Sequence, residues 1–307
     1  MLRLNQPPYN VSFLGVLAAA AEHYAMDVPV STLYGASGHA FLTNVHRDLC
    51  PSGPYVWDHS RVFDLLRNIG LDVTDIGFFT NDSGADEREA LEARLQEHLD
   101  DGTVCGVVNL DHQLILGYEH GRFVLGQPWG DAPTTPPTLS SETWVEFGDD
   151  IHALFYAVTR CDPVDERTAA VDALRFAIDL YERPREYVEP DYGIGPEAYD
   201  NWIGAVLAGS GSGHGAWWNA MVWAECKAEA ASYLRRLASD APAIADRARD
   251  AAEKYNRVAG HLRAAADREL DTELKLAAVR RARDDEQEAV EQLVDVVRGL
   301  TEADDRS

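Results

Sequence analysis

The chain has 307 residues, 46% of them hydrophobic, enough for one large or two ordinary domains with a true core. Acidic residues outnumber basic ones 52 to 27, for a formal charge of -25. Such a surface repels phosphate backbones and anionic membranes, which argues against nucleic-acid and membrane partners. Only Lys227, Lys254 and Lys275 are lysines. This acidic, Lys-poor balance points to a halophilic cytoplasmic protein, the plainer alternative being an acidic protein from a GC-rich bacterium. Four cysteines, Cys50, Cys105, Cys161 and Cys226, are widely separated. Their spacing signals neither a metal site nor any other cofactor, and a reducing cytoplasmic compartment is the simpler reading.

In chain order, Ser12 opens the apolar run Phe13 to Ala21. The preceding Pro7, Pro8, Tyr9 and Asn10 make a buried helix a better reading of that run than a signal peptide. No apolar run approaches the length needed to cross a bilayer. Residues 35–54 read as a loop. Ser60 to Gly70 has helical spacing with a glycine stop, and Leu71 to Ile76 alternates as a strand. A helix is predicted over 85–99 and a strand over 104–108. Asp111-His112-Gln113-Leu114-Ile115-Leu116-Gly117-Tyr118 and Arg122-Phe123-Val124-Leu125-Gly126-Gln127-Pro128-Trp129-Gly130 flank a Gly121 turn. They read as a strand hairpin, whose antiparallel pairing brings Asp111 or His112 beside Gln127. Residues 144–147 read as a turn and 153–158 as a closing strand.

From Asp162-Pro163 onward the pattern is helical: 164–183, 197–207, 216–237, 241–268 and 271–300. The last two form a hairpin. Its stripes are Ile244, Ala248, Ala251, Tyr255, Val258, Leu262 and Ala265 on one helix, and Leu274, Ala277, Val290, Leu293 and Val297 on the other. Stripes of this kind form either a core or the seam of a homo-oligomer. The Gly209-Ser210-Gly211-Ser212-Gly213-His214-Gly215 run lacks the strand before it and the lysine after it that a nucleotide loop needs. It reads as a linker, or as a lid whose His214, Trp217 and Asn219 line a ligand site. Trp202, Trp223 and Glu225 read as core and surface residues of these helices.

The hairpin resembles the papain-like cysteine peptidase fold, in which a catalytic His opens a strand running into Gly-Tyr and an Asn precedes Ser-Trp-Gly on the next strand. The distance from Gly117 to Gln127 matches, and Trp129-Gly130 falls in register. Independently, Gln6 lies six residues before Ser12, as the family's oxyanion-hole Gln precedes its nucleophilic Cys. Leu33-Tyr34-Gly35-Ala36-Ser37-Gly38-His39-Ala40-Phe41 and Cys50-Pro51-Ser52-Gly53-Pro54 are similar to segments of BtrH-like acyltransferases, and the outline is also similar to double-glycine leader peptidases. The resemblance implies an α+β architecture. A papain-like domain over 1–161, an N-terminal helix packed on an antiparallel sheet, is followed by an all-helical domain over 162–307.

The chain departs from the family at each conventional identity. Its Cys position is Ser12, its His position counted back from Gly117 is Asp111, and its Asn is Gln127. His112 is one residue late and, by strand alternation, turns away from Ser12 unless a bulge resets the parity. A thiol peptidase is therefore not expected. The leading reading is a binding or accessory module that holds a small molecule or peptide in the cleft, with Trp129 beside it; a further alternative leaves function to the helical hairpin alone, as an oligomerisation surface. The rival is acyl transfer in which Ser12 attacks, His112 takes its proton, Gln6 stabilises the oxyanion and Gln127 orients the imidazole. Against both stand plainer roles: Ser12 as a helix N-cap, Asp111 as a solvated strand start, His112 as a polar residue on a sheet face, and Gln6 and Gln127 as partners of turn backbone.

Overall fold

The computed structural model describes residues 2–130 and 135–302. In chain order these form α1 (Ser12–His23), α2 (Val30–Ala36), β1 (Asn44–His46), α3 (Ser60–Asn68), β2 (Leu71–Thr80), α4 (Ala85–Asp100), β3 (Val104–Val108), β4 (His112–Glu119), β5 (Arg122–Leu125), β6 (Thr138–Ser140), β7 (His152–Arg160), α5 (Glu166–Glu182), β8 (Tyr192–Ile194), α6 (Pro196–Leu207), α7 (His214–Asp240), α8 (Ala245–Ala265) and α9 (Thr272–Glu302). Single 3-10 turns occur at His39–Phe41, Val145–Phe147, Pro184–Glu186 and Pro242–Ile244. The protein is mixed α and β with antiparallel sheets and a helical C-terminal region. No helix among the described residues is long and apolar enough to cross a membrane.

The chain divides into two compact units that are interleaved in sequence. Met1–Val28 with Gly70–Pro163 forms the first, and Pro29–Ile69 with Val164–Ser307 the second. The expected boundary near 161 corresponds to the final crossing, but the first unit is not the unbroken 1–161 of the sequence reading. Residues 29–69 cluster with the helices because α2 packs on α5 and α7, and β1 pairs with β8. The expected 35–54 loop accordingly contains helix, 3-10 turn and strand.

In the first unit the strands run in the order β2-β7-β3-β4-β5-β6, all antiparallel. One face carries Cys105, Val107, Ile115, Phe123, Leu125, Phe155 and Ala157, and packs under Leu91, Leu95 and Leu99 of α4 with Phe79 and Trp144. α4 supplies these leucines at four-residue spacing, the period of a single helical face. α1 packs on β3, β4 and β7. Its docking is held at one end by Tyr24, whose hydroxyl donates to Val158 O at 2.7 Å and accepts from Val104 N at 3.3 Å.

The second unit packs α7 on α8, α8 on α9, and α5 and α6 on α9. The predicted α8 stripe is buried without exception. On α9 the phase differs: Leu274 is 60% exposed and Ala277 only half-buried, while Lys275, Leu276, Ala278, Val279 and Ala282 turn inward. The buried residues of these stripes build the unit's own core.

At the centre of this core lies an ion pair between Lys227 Nζ and Glu286 Oε1, 2.6 Å apart and fully buried. Lys227 also donates to Ala40 O (3.3 Å) and Leu42 O (2.9 Å). Glu286 accepts from Thr43 Oγ1 and from the Tyr199 hydroxyl. The ammonium thus meets three acceptors for its three donors, the condition under which a buried charge is tolerated. The network ties the chain at residues 40–43 to α6, α7 and α9.

Candidate functional site

Gln6, Ser12, Asp111 and His112 converge where α1 meets β4. Gln6 is 4% exposed and Ser12 fully buried. The Gln6 carboxamide lies against the β4 backbone: Nε2 donates to His112 O at 2.8 Å and to Ser12 O at 3.4 Å, and Oε1 accepts from Leu114 N at 2.9 Å. The segment before α1 approaches the helix closely, since a Cβ on Gly15 would sit 2.7 Å from Pro7 O. Leu2 N donates to Leu116 O at 2.7 Å, which extends the tie further along β4.

The Ser12 side chain also turns to β4. Its hydroxyl accepts from His112 N at 2.9 Å and donates to Asp111 Oδ1 at 3.3 Å. The N-cap of α1 is Val11, with no side-chain cap. The capping role expected for Ser12 is thus replaced by a tertiary one, because the β4 amide takes the oxygen that would have bonded a helix N–H. Asp111 is half-buried beside this hydroxyl, so it is not the solvated strand start of the plainer reading.

His112 lies on the α1 face of the sheet. Its ring packs on Phe13 at 4.9 Å between centroids, and its Nδ1 is 2.9 Å from the Tyr156 hydroxyl. The register of β4 against β5 slips between Ile115 and Gly117. This bulge is the parity reset that allows His112, rather than Asp111, to share a face with Gly117. The expected turning away is therefore overturned: the imidazole stands on the side of the sheet that α1 covers.

The other expected partners fall elsewhere. Gln127 Nε2 donates to Gly126 O at 3.0 Å and Pro136 O at 2.8 Å, the same two carbonyls that Gln113 Nε2 holds. It clamps the turn after β5, and the imidazole partner is Tyr156 on β7. Trp129 lies half-buried in the same turn. Among the free cysteines, Cys105 is buried on the opposite sheet face, and burial pushes its thiol up to about 12. It is no substitute nucleophile.

His214, Trp217 and Asn219 belong to the second unit. Asn219 is fully buried and structural, donating to Cys50 O (3.0 Å) and Gly215 O (2.8 Å). Gly53 must be glycine for this, since a Cβ there would lie 2.4 Å from Asn219 Oδ1. His214 packs on Trp217, and Arg268 stacks over Trp217 while its guanidinium donates to His214 Nδ1 at 3.3 Å. The glycine run before α7 is anchored as well, with Lys275 Nζ donating to Gly211 O at 2.7 Å. Among the described residues no group of acidic, His and Cys side chains is arranged to hold a metal.

The sequence reading missed Tyr156, which it placed in the closing strand without a role. The signal was Gly106 in the middle of β3: glycine inside a strand marks a close approach. A Cβ at Gly106 would lie 2.4 Å from Tyr156 Cζ. It also missed Lys227, one of only three lysines and set in the apolar stripe of α7 between Trp223 and Leu234.

No model of a known protein family matches the chain, and no curated protein matches it either.

Proposed function

We propose that the first unit is a papain-like-type domain without hydrolytic chemistry, serving as a binding or accessory module for a small molecule or peptide. The observation that carries this is the use made of Gln6 and Ser12. An oxyanion-hole amide must aim its N–H at a substrate oxygen, yet Gln6 Nε2 is directed at His112 O and Ser12 O. A nucleophilic hydroxyl must pass its proton to a base during attack, yet the fully buried Ser12 donates to the Asp111 carboxylate and accepts from a backbone amide. Both side chains act as struts between the N-terminal segment and β4. The matching positions of Gln6, Ser12, Gly117 and Trp129-Gly130 support descent from the thiol enzymes, and the lost cysteine supports loss of their reaction.

The test is a fluorophosphonate probe applied to the wild type and to Ser12→Ala. No labelling of either is expected. Labelling of the wild type that disappears in Ser12→Ala overturns the proposal in favour of acyl transfer. A single observation favours that second reading: His112 stands on the α1 face against Phe13, next to the residue it would have to deprotonate.

A further inference from the structure

We infer that Tyr156 is a positioning residue that holds His112 in one neutral tautomer, with its proton on Nε2. The inference rests on the reading above, in which the α1–β4 site binds rather than reacts, and it goes beyond that reading by assigning the imidazole its tautomer.

Tyr156 is 2% exposed and lies across the backbone of β3 at Gly106, where a Cβ would come within 2.6 Å of its hydroxyl. Burial pushes the phenol well above its ordinary range, so it remains an O–H group. A buried O–H requires an acceptor. Among the described residues the hydrogen-bond partner of this hydroxyl is His112 Nδ1, at 2.9 Å. The phenol therefore donates, and Nδ1 receives with its lone pair. A neutral imidazole with an unprotonated Nδ1 carries its hydrogen on Nε2.

Phe13 completes the arrangement. It packs on His112 at 4.9 Å and on Tyr156 edge-on at 5.9 Å, so the two polar rings share one apolar partner. The tie runs between strands: Val108 opposes His112 on β4 and Leu154 on β7, and Gly106 opposes Leu114 and Tyr156. His112 and Tyr156 thus lie on one sheet face, two strands apart. In this state the imidazole carries its hydrogen at Nε2.

The experiment is a nitrogen-15 NMR measurement of the His112 ring in full-length wild type and Tyr156→Phe at neutral pH. The wild type is expected to show a pyridine-type Nδ1 and a protonated Nε2, and Tyr156→Phe a shift toward a mixture of tautomers with the fold retained by circular dichroism. Two results overturn the inference: an Nδ1-protonated ring in the wild type, or an unchanged ring in a folded Tyr156→Phe. If Tyr156→Phe does not fold, the wild-type spectrum decides alone. The two proposals fail separately, since probe labelling of Ser12 sinks the binding reading whatever the tautomer, and a wrong tautomer removes the role of Tyr156 without making Ser12 reactive.

Discussion

Replacing Gln6 by Ala separates a strut from a catalytic donor. In the folded protein the side chain satisfies His112 O and Leu114 N, at 2.8 and 2.9 Å, from a position only 4% exposed. Removal leaves one buried acceptor and one buried donor without partners, each costing about 1–3 kcal/mol. The expected loss is therefore about 2–6 kcal/mol, offset in part where the backbone relaxes. An amide that only faced a cleft would cost within about 0.5 kcal/mol. Urea unfolding followed by tryptophan fluorescence gives the stability change, and amide exchange at Leu114 reports the local effect without assuming that both units unfold together. A loss below about 0.5 kcal/mol, with exchange at Leu114 unchanged, would refute the strut argument and return Gln6 to the oxyanion role.

Two further outcomes follow from the second unit. His39 is buried between Trp57 and Trp223 with Cys226 Sγ 3.8 Å from its Nδ1, and burial, aided by nearby His59 and Lys227, lowers it to about 3. A folded-state value below the unfolded one gives stability that is complete above about pH 6.5 and declines as pH falls toward 3. By pH 5 the loss from His39 is about 2 kcal/mol. His59, lowered to about 4 by burial, adds a smaller share because its residue is partly exposed. Urea midpoints from pH 7.5 to 5 should fall in the wild type and fall less steeply in His39→Gln; parallel slopes would contradict the burial argument. Lys227→Met should cost about 3–5 kcal/mol by stranding Glu286 as a buried carboxylate. Adding Glu286→Gln should recover part of this, because the amide still accepts from Tyr199 and Thr43; additive losses in the double-mutant cycle would show that the two residues do not interact.

Much of the architecture was legible along the chain because period and punctuation are local properties. The 3.6-residue repeat of α4, α5, α7 and α8, the Gly121 turn between β4 and β5, and the glycine at 70, with φ of +89°, marked elements whose observed limits lie within a few residues of those expected. Spacing also brought Gln6, Ser12, Asp111 and His112 to one candidate site, and their side chains do meet there.

What each of those side chains does was decided only by tertiary structure. Ser12 is chemically suited to a cap, a nucleophile or a strut, and folding engages its hydroxyl with the His112 amide and the Asp111 carboxylate rather than with a helix N–H. The facing of His112 depends on one extra residue in the register of β4, and its partner Tyr156 comes from a strand 44 positions away. The assignment of residues 29–69 to the helical unit likewise depends on long-range partners, among them Lys227 for the carbonyls of Ala40 and Leu42. Local propensity reads from neighbours within a few residues, whereas hydrogen-bond satisfaction in a core is settled by whichever distant groups folding brings within about 3 Å.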